Sequence, residues 1–214
     1  MTLLAIDTTG PDCAVALRRA GKPDIAMSEA IGRGHAERLA PMVEAVLARA
    51  AVAPCDLARI GVTTGPGSFA GTRVGTAFAR GLALATGAQA VGIGNLAVIA
   101  HALADVRPLA VLHDAKRAEL ILQVWTEGKA GAPERLPVDA AADRIRALAG
   151  DRAVVAGSGA ALIPAGVFET RDVTGIDLVA LLDLAAAADP AVAPASPFYA
   201  RPPDAKLPGG VEPA

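Results

Sequence analysis

The chain of 214 residues is long enough for one large domain or two lobes, and its 53% hydrophobic content excludes a disordered chain as the default. Its formal net charge of −2, from 20 basic and 22 acidic residues, argues against a broad surface for nucleic-acid phosphates. Any contact with RNA is therefore expected to pass through a partner.

The first half of the chain predicts the element order βββαβαβα. Three strands form a meander, and the first of them stops at Asp7, in a turn-rich cluster. Pro41 is expected in the first turn of the first helix, since a proline further inside removes a backbone hydrogen bond. Asn95 is expected to cap the third helix. The strands are predicted at 3–6, 13–17, 25–30, 60–63 and 90–93, and the helices at about 39–47, 72–85 and 95–104.

The second half begins like the first, with a strand, an Asp-bearing turn at residues 113–117 and a returning strand. From Asp189 onwards the chain is rich in Pro and Ala without an amphipathic period, so a loose tail is expected. The strands are predicted at 109–112, 119–125 and 153–156, and the helices at 138–148 and 178–187.

The repeated strand, acidic turn and returning strand predict a duplicated α/β architecture. We expect an actin-like ATPase (ribonuclease-H-like) fold, in which each of two lobes contains a mixed sheet flanked by helices. The N-terminal lobe is predicted at residues 1–105 and carries the partner helices. The smaller C-terminal lobe is predicted at residues 106–214 and includes the loose tail.

The turn formed by Asp7, Thr8 and Thr9 is the first candidate site. In an actin-like ATPase, an acid at this position orients a metal ion or water, and short hydroxyl residues let phosphate approach the backbone. Alternatively, Asp and Thr simply form an Asx-type turn. Both interpretations remain open from the sequence.

Residues 64–75 form a Gly-rich loop that leads into a helix, which is one kind of anion site. The loop lacks the Lys of a P-loop and the spacing of a dinucleotide fingerprint, so a structural purpose is favoured. Gly71, Gly75 and Ala79 recur every four residues and leave one helix side nearly bare, which favours close approach of another helix. Phe78 and Leu82 make the opposite side apolar, so one side is predicted to meet a partner chain.

Metal and nucleophile patterns are weak in this sequence. A zinc helix needs a second His four residues after the first, but Leu39 holds that position after His35. His101 and His113 lie in unrelated segments. No Gly-x-Ser-x-Gly elbow is present, and Ser158, between two glycines, is expected in a tight turn.

Compartment signals point to the cytoplasm. Cys13 and Cys55 share no metal or redox spacing, so two reduced thiols are expected, although a disulfide remains open. The first seven residues contain no basic segment and end at an acid, unlike a signal peptide. Glycine and polar residues interrupt the apolar stretch at 81–104, which favours helix, strand and helix over a membrane span.

Five segments, in order, resemble the TsaB (YeaZ-like) family. The stretch 64–75, Thr-Gly-Pro-Gly-Ser-Phe-Ala-Gly-Thr-Arg-Val-Gly, is similar to the family's Gly-Pro-Gly-Ser-Phe-Thr-Gly-Leu-Arg-Val-Gly signature. The other four are the opening strand at 4–9, the His-x-Glu-x-Leu-x-Pro segment at 35–41, the Asp-Ala-Arg-Arg-x-Glu turn at 114–119 and the Pro-x-Tyr-Leu-Arg motif at 197–201. Departures include Ala70, Thr72 and Ala200, where the family has Thr, Leu and Leu.

This resemblance implies a non-catalytic dimerisation subunit for threonylcarbamoylation of the adenosine beside the anticodon of tRNA. Its implied partners are the catalytic paralogue TsaD and the ATPase TsaE. The paralogue holds a metal with two histidines four residues apart; His35 matches the first, and Leu39 occupies the place of the second. We therefore expect no catalytic residue and no metal ligand in this chain.

The chain itself is expected to require no cofactor, and ATP or ADP is expected only at an interface of the complex. Alone, it is expected to form a homodimer, to contact tRNA only through the complex and to avoid membranes. Asp7, Thr8 and Thr9 are predicted as vestigial nucleotide-binding residues. The predicted partner interface consists of Leu39, Met42, Val43, Val46, Gly71, Gly75, Phe78, Ala79 and Leu82.

Two other functions remain open from the sequence. The first is an actin-like ATPase or small-molecule kinase that uses Asp7, with residues 157–159 as a second phosphate loop. The second is an inactive metalloprotease relative that degrades its paralogue.

Overall fold

A computed structural model describes residues 1–127, 129–173 and 175–199. The first sheet has the strand order β3-β2-β1-β4-β5. Strands β1, β2 and β3 pair antiparallel, whereas β1, β4 and β5 pair parallel. Its strands are β1 (Thr2–Asp7), β2 (Asp12–Arg19), β3 (Ile25–Ala30), β4 (Arg59–Thr63) and β5 (Gln89–Ile93), and its helices are α1 (His35–Ala50), α2 (Phe69–Thr86) and α3 (Asn95–Ala102).

The second sheet has the order β11-β10-β6-β7-β8, and β9 also pairs with β7. Strands β6 and β7 form an antiparallel hairpin, while β10 pairs parallel with β6. Two mixed sheets flanked by helices are therefore present, as predicted. The elements are β6 (Leu109–Lys116), β7 (Glu119–Thr126), β8 (Lys129–Ala130), β9 (Glu134–Pro137), α4 (Val138–Ala149), β10 (Val154–Ala156), β11 (Glu169–Arg171) and α5 (Leu178–Ala187).

Strand β1 is buried on both faces, because successive side chains point to opposite sides of the sheet. Leu4 and Ile6 belong to the core that α1 and α2 cover. Leu3 and Ala5 belong to the opposite core, which includes buried residues of α3 and α5. The first sheet is thus a central layer between two layers of helices.

Helix α5 corrects the predicted division after residue 105, because it packs on β1, β2 and β4 of the first sheet. Gly61 of β4 permits this approach, since a Cβ at that position would stand 2.4 Å from the Cβ of Ala185. The last helix therefore belongs to the first lobe, although the sequence-based division assigned it to the second.

The predicted loose tail also needs correction for residues 189–199. The Gly92 N–H donates to the Ala193 carbonyl at 2.9 Å, and the Phe198 N–H donates to the Thr64 carbonyl at 2.8 Å. Ala195 is buried in the first core. This segment therefore runs back along the first lobe, whereas residues 200–214 lie outside the described residues.

Two helix starts differ from the predictions. Helix α1 begins at His35 and includes Pro41, which lies on its exposed side. Helix α2 begins at Phe69, because the Ser68 hydroxyl accepts a hydrogen bond from the Gly71 N–H at 3.2 Å and caps the first turn. Within the described ranges, no helix is long and apolar enough to cross a membrane.

Candidate functional site between the lobes

The carboxylate of Asp7 lies at the end of β1 and is held inside the first lobe. Its Oδ1 accepts hydrogen bonds from the Thr9 N–H at 3.1 Å, the Thr9 hydroxyl at 2.6 Å and the Thr63 hydroxyl at 2.6 Å. The bond from the N–H two residues further on forms the Asx-type turn that the sequence allowed. One carboxylate oxygen is therefore occupied by three donors from the chain itself.

The glycines of the loop and of α2 face this turn. The Thr8 hydroxyl donates to the Gly71 carbonyl at 2.7 Å, and the Ser68 N–H donates to the Thr9 carbonyl at 2.7 Å. A Cβ on Gly71 would stand 1.9 Å from the Thr8 carbonyl oxygen, and one on Gly75 would stand 2.4 Å from the Thr8 hydroxyl. The bare side of α2 therefore accommodates the Asp7 turn of its own lobe.

The predicted partner interface is therefore wrong in its details. The apolar faces of α1 and α2 cover the sheet of their own lobe, so they are closed to another chain. Leu39, Met42, Val43, Val46, Gly71, Gly75 and Ala79 are buried, and Phe78 and Leu82 are half-buried against the same core. The solvent side of α2 instead presents Phe69, Ala77, Gly81 and Leu84, together with the charged Arg73 and Arg80.

Asn95 connects the turn, the Gly-rich loop and α3. Its backbone N–H donates to the Gly65 carbonyl at 2.8 Å, and its Oδ1 accepts from the Gly65 N–H at 3.0 Å. Its Nδ2 donates to the Thr9 hydroxyl at 2.5 Å. The side chain thus joins three segments. It is not the predicted cap of α3, because Gly94 holds the N-cap position and Asn95 is the first residue of the helix.

A cavity of about 430 Å³ opens between the two lobes. The first lobe contributes Asp7, Thr9 and Asn95 to its wall. The second lobe contributes His113 and Ser158. Two of the three residues predicted as vestigial nucleotide-binding groups, Asp7 and Thr9, therefore line this space, while Thr8 binds α2 instead.

His113 and Ser158 meet at the second-lobe side of this cavity. The Ser158 hydroxyl accepts a hydrogen bond from the Asp114 N–H at 3.1 Å and lies 3.2 Å from His113 Nδ1. Burial lowers the pKa of His113 below its ordinary value, which favours the neutral imidazole. The hydrogen bond from Lys116 lowers the pKa of the Asp114 carboxyl.

The sequence analysis did not connect His113 with Ser158, yet one signal could have done so. Strands β6 and β10 pair in parallel, so the turns that follow them emerge at the same edge of the sheet. His113 lies near the end of β6, and Ser158 follows β10 by two residues. The parallel pairing was the missing information.

His35 faces the core of its own lobe. It is 8% exposed, and its Nε2 lies 3.2 Å from the Asp12 carbonyl oxygen. Leu39 is fully buried one turn later. Among the described residues, no group of three His, Cys, Asp or Glu side chains could hold a metal ion.

Both cysteines are free thiols in the structure, with Cys13 buried and Cys55 exposed. Burial is the largest cause that raises the pKa of Cys13 to about 11, so its thiol stays protonated and unreactive near neutral pH.

An exposed aromatic cluster joins the end of the described chain to the start of α2. The guanidinium carbon of Arg73 lies 3.7 Å from the ring centroid of Phe69. Its Nε donates to the Tyr199 hydroxyl at 3.0 Å. Tyr199 belongs to the segment that resembles Pro-x-Tyr-Leu-Arg, and its hydroxyl contacts Arg73. Ala200 and Arg201 of the same segment lie outside the described residues.

Comparisons with known proteins agree on one family. The model of the family described as TsaD, tRNA N6-adenosine threonylcarbamoyltransferase, matches residues 27–149, more than half of the chain. The tRNA threonylcarbamoyladenosine biosynthesis protein TsaB of Haemophilus influenzae is 36% identical over 102 residues, which are 48% of this chain and 43% of that protein. The chain thus spans less than half the length of this curated relative.

Two further relatives match over nearly the whole length. An uncharacterised protein of Mycobacterium tuberculosis is 35% identical over 213 residues, which cover 96% of this chain and 94% of that protein. The solved structure of a Pseudomonas aeruginosa protein with similarity to the peptidase YeaZ superposes with a TM-score of 0.77 at 29% identity, covering 94% of this chain and 99% of that one.

These matches confirm the predicted fold, because the superposition includes both lobes. The resemblance seen in the five sequence segments is confirmed as well. The chain therefore belongs to the TsaD/TsaB family and is a TsaB-like (YeaZ-like) member of it.

Proposed function

We propose that this chain is a cytoplasmic, non-catalytic subunit for the threonylcarbamoylation of tRNA, paired with a TsaD-like catalytic paralogue and assisted by a TsaE-like ATPase. Family membership supports the pathway, since the named relatives act in threonylcarbamoyladenosine biosynthesis. The net charge of −2 supports contact with tRNA through the complex rather than by this chain alone.

The buried Leu39 carries the non-catalytic part of the proposal. The catalytic paralogue is expected to bind its metal with two histidines four residues apart, and Leu39 stands four residues after His35. Both residues point into the first lobe, with Leu39 at 0% exposure. The α1 face that would bind a metal in the paralogue therefore packs against the sheet in this chain.

The solvent side of α2 is the proposed partner face. Leu84 is 89% exposed and Phe69 is 59% exposed, and both are large apolar side chains. Ala77 and Gly81, also exposed, lie between them and leave room for another helix to approach. Arg73 and Arg80, also exposed on α2, flank these side chains. Because two large apolar side chains stay exposed on one helix, the isolated chain is proposed to pair with itself.

No cofactor is proposed for the chain alone, and ATP or ADP is assigned to an interface of the complex. Asp7 supports this assignment, because three donors of the chain itself, from Thr9 and Thr63, already occupy its Oδ1.

Co-elution of the full chain with a TsaD-like paralogue on size-exclusion chromatography tests the partner face. Leu84→Asp is expected to abolish co-elution, because it places a charge at the most exposed apolar side chain of the proposed face. Leu148→Asp, at a 41% exposed leucine of α4, provides the matched control and is expected to leave co-elution intact. Loss with both variants, or with neither, would refute the interface.

Mass spectrometry of nucleosides from digested tRNA tests the pathway. Cells that lack the chain are expected to lose threonylcarbamoyladenosine, and the wild-type chain is expected to restore it. Purified chain without a paralogue is expected to modify no tRNA. Modification by the chain alone would overturn the non-catalytic assignment.

A further inference from the structure

A tight turn follows β10 directly and presents Ser158 at the surface, in the wall of the inter-lobe cavity. Gly157 has a φ of 91°, and a Cβ there would stand 2.4 Å from the Leu112 carbonyl oxygen. A Cβ on Gly159 would stand 2.6 Å from a methyl carbon of Leu120. The two glycines therefore let the turn pack closely on the second sheet and fix the position of the serine between them.

Ser158 and His113 have the geometry of a nucleophile and its general base. The Ser158 hydroxyl oxygen lies 3.2 Å from His113 Nδ1, within the reach of roughly 2.6–3.2 Å that such pairs need. The same oxygen accepts a hydrogen bond from the Asp114 N–H at 3.1 Å, which leaves the hydroxyl proton for Nδ1 when the imidazole carries its own proton on Nε2.

The imidazole is in the form that a general base needs. Burial is the largest cause that lowers the pKa of His113, and the charge of Lys116 lowers it further, against the opposing charge of Asp114. His113 is therefore neutral near pH 7 and able to take up a proton from the serine.

The cavity gives this pair room for an acyl group. It measures about 430 Å³, and its wall includes the apolar side chains of Leu112, Ile176 and Leu178. A short apolar acyl chain suits this part of the wall, since its burial removes apolar surface from water. Ser158 itself is exposed, so both a substrate and water reach its hydroxyl.

The backbone after Ser158 limits the class of substrate. The Gly159 N–H donates to the Leu112 carbonyl at 2.9 Å, and the Ala160 N–H donates to the Gly157 carbonyl at 3.0 Å. Both groups are engaged within the fold rather than directed at a substrate oxyanion, and loss of one such donor costs about 10²–10³-fold in rate. Esters with a readily departing phenolate tolerate this loss, whereas peptide bonds do not.

We propose that Ser158 is a nucleophile, activated by His113, which takes the acyl group of activated esters and passes it to water. The serine oxygen bonds to the carbonyl carbon while its proton moves to His113 Nδ1, and that proton leaves with the departing phenolate as a phenol. Water then attacks the acyl-serine and gives a proton to the same nitrogen. The serine oxygen recovers this proton as the carboxylic acid is released. This activity goes beyond the proposed role in tRNA modification and needs no paralogue.

Release of p-nitrophenol from p-nitrophenyl butyrate by the isolated full chain tests the activity. Ser158→Ala and His113→Gln are each expected to lower the rate at least tenfold, since a general base typically contributes about 10²–10⁴-fold. Two matched controls remove the same groups elsewhere and are expected to keep the wild-type rate. Ser28→Ala removes a hydroxyl that the first lobe contributes to the same cavity wall, and His101→Gln removes an exposed imidazole of α3. An equal effect of Ser158→Ala and Ser28→Ala would refute the pair.

Mass spectrometry of digested protein after incubation with the ester locates the acyl group. A butyryl group is expected on Ser158, and its amount is expected to fall at least tenfold in His113→Gln. The exposed thiol of Cys55 is a competing nucleophile. Acylation of Cys55 with Ser158 unmodified would overturn the proposal.

The pH profile separates a general base from a merely structural histidine. With His113 as the base, the rate is expected to be level above about pH 7 and to fall below pH 6.5 as the imidazole becomes protonated. Direct attack by hydroxide or by amino groups instead rises steadily with pH. A steady rise that survives in His113→Gln would contradict the mechanism, and cleavage of the p-nitroanilide of the same acid would contradict the restriction to esters.

Discussion

Thr8 and Gly71 are in direct contact: the Thr8 hydroxyl donates to the Gly71 carbonyl at 2.7 Å, and the Thr8 carbonyl oxygen lies 1.9 Å from the place of a Gly71 Cβ. We expect Gly71→Ala to reduce the free energy of unfolding by about 2–4 kcal/mol, because the added methyl group must displace backbone.

Gly81 of the same helix provides the control, since a Cβ there meets nothing within 4 Å. Gly81→Ala is expected to raise the free energy of unfolding by about 0.5–1 kcal/mol, through helix propensity. Urea denaturation measures both variants. A similar effect of the two changes would contradict the contact.

The turn between β6 and β7 carries backbone strain. Arg117 and Ala118 lie between the paired residues Lys116 and Glu119, with φ of 56° and 58°. A two-residue turn of this shape favours Asn-Gly, because non-glycine residues avoid positive φ. Ala118→Gly is expected to stabilise the chain by about 0.5–1 kcal/mol in chemical denaturation.

The matched change is Ala115→Gly, a few residues earlier in β6 and without a positive φ. It is expected to destabilise the chain by about 0.5–1 kcal/mol, because glycine loses more conformational entropy in a strand. The two substitutions should therefore have opposite signs; equal signs would count against strain at Ala118.

His113 makes the stability of the chain depend on pH. Burial lowers its pKa below the ordinary value of 6.5, so the folded chain binds fewer protons than the unfolded chain as the pH falls below 6.5. This contribution to stability is present above pH 6.5 and is lost as the pH falls through the folded pKa. Denaturation at about pH 7.5 and about pH 5.5 measures the loss.

In His113→Gln the side chain cannot take up a proton, so the loss between these two pH values is expected to be smaller than in the wild type. Acidic groups such as Asp114 are present in both proteins. Their contribution to the pH dependence of stability therefore cancels when the variant is compared with the wild type. An equal loss in both would exclude His113 as the source.

Leu39→His would place a histidine four residues after His35, as in the metal pair of the catalytic paralogue. Leu39 is fully buried, so we expect a cost of about 2–4 kcal/mol and no recovery of stability with zinc. Ala36→His, on the exposed side of α1, is expected to change stability by less than about 0.5 kcal/mol. A zinc-dependent rise in melting temperature of the Leu39→His variant would contradict a structural role for this face.

Periodicity and turn residues were sufficient to predict most elements of the two sheets. The strands around Leu4, Ile60 and Leu112 were predicted because apolar runs end at acidic or glycine-rich turns, and these turns are local features. The starts of two helices were predicted too late. Helix α1 begins at His35 and includes Pro41, and the Ser68 cap starts α2 at Phe69, before its apolar pattern begins.

The errors came from contacts between distant segments. Gly71 and Gly75 suggested a bare helix face, but no sequence pattern shows that Thr8 occupies it. Likewise, the pairing of His113 with Ser158 depends on the parallel neighbours β6 and β10. The sequence shows which residues are small or polar. The order of the strands in the sheets decides which distant residues come into contact.

The position of α5 makes the second lobe an insertion within the first. Leu3 and Ala5 lie in the first strand, whereas their covering residues Leu181 and Ala185 follow about 180 positions later. Because synthesis proceeds from the N-terminus, the nascent first lobe exposes this apolar face until α5 leaves the ribosome. The second lobe is therefore synthesised before the first lobe can complete this part of its core.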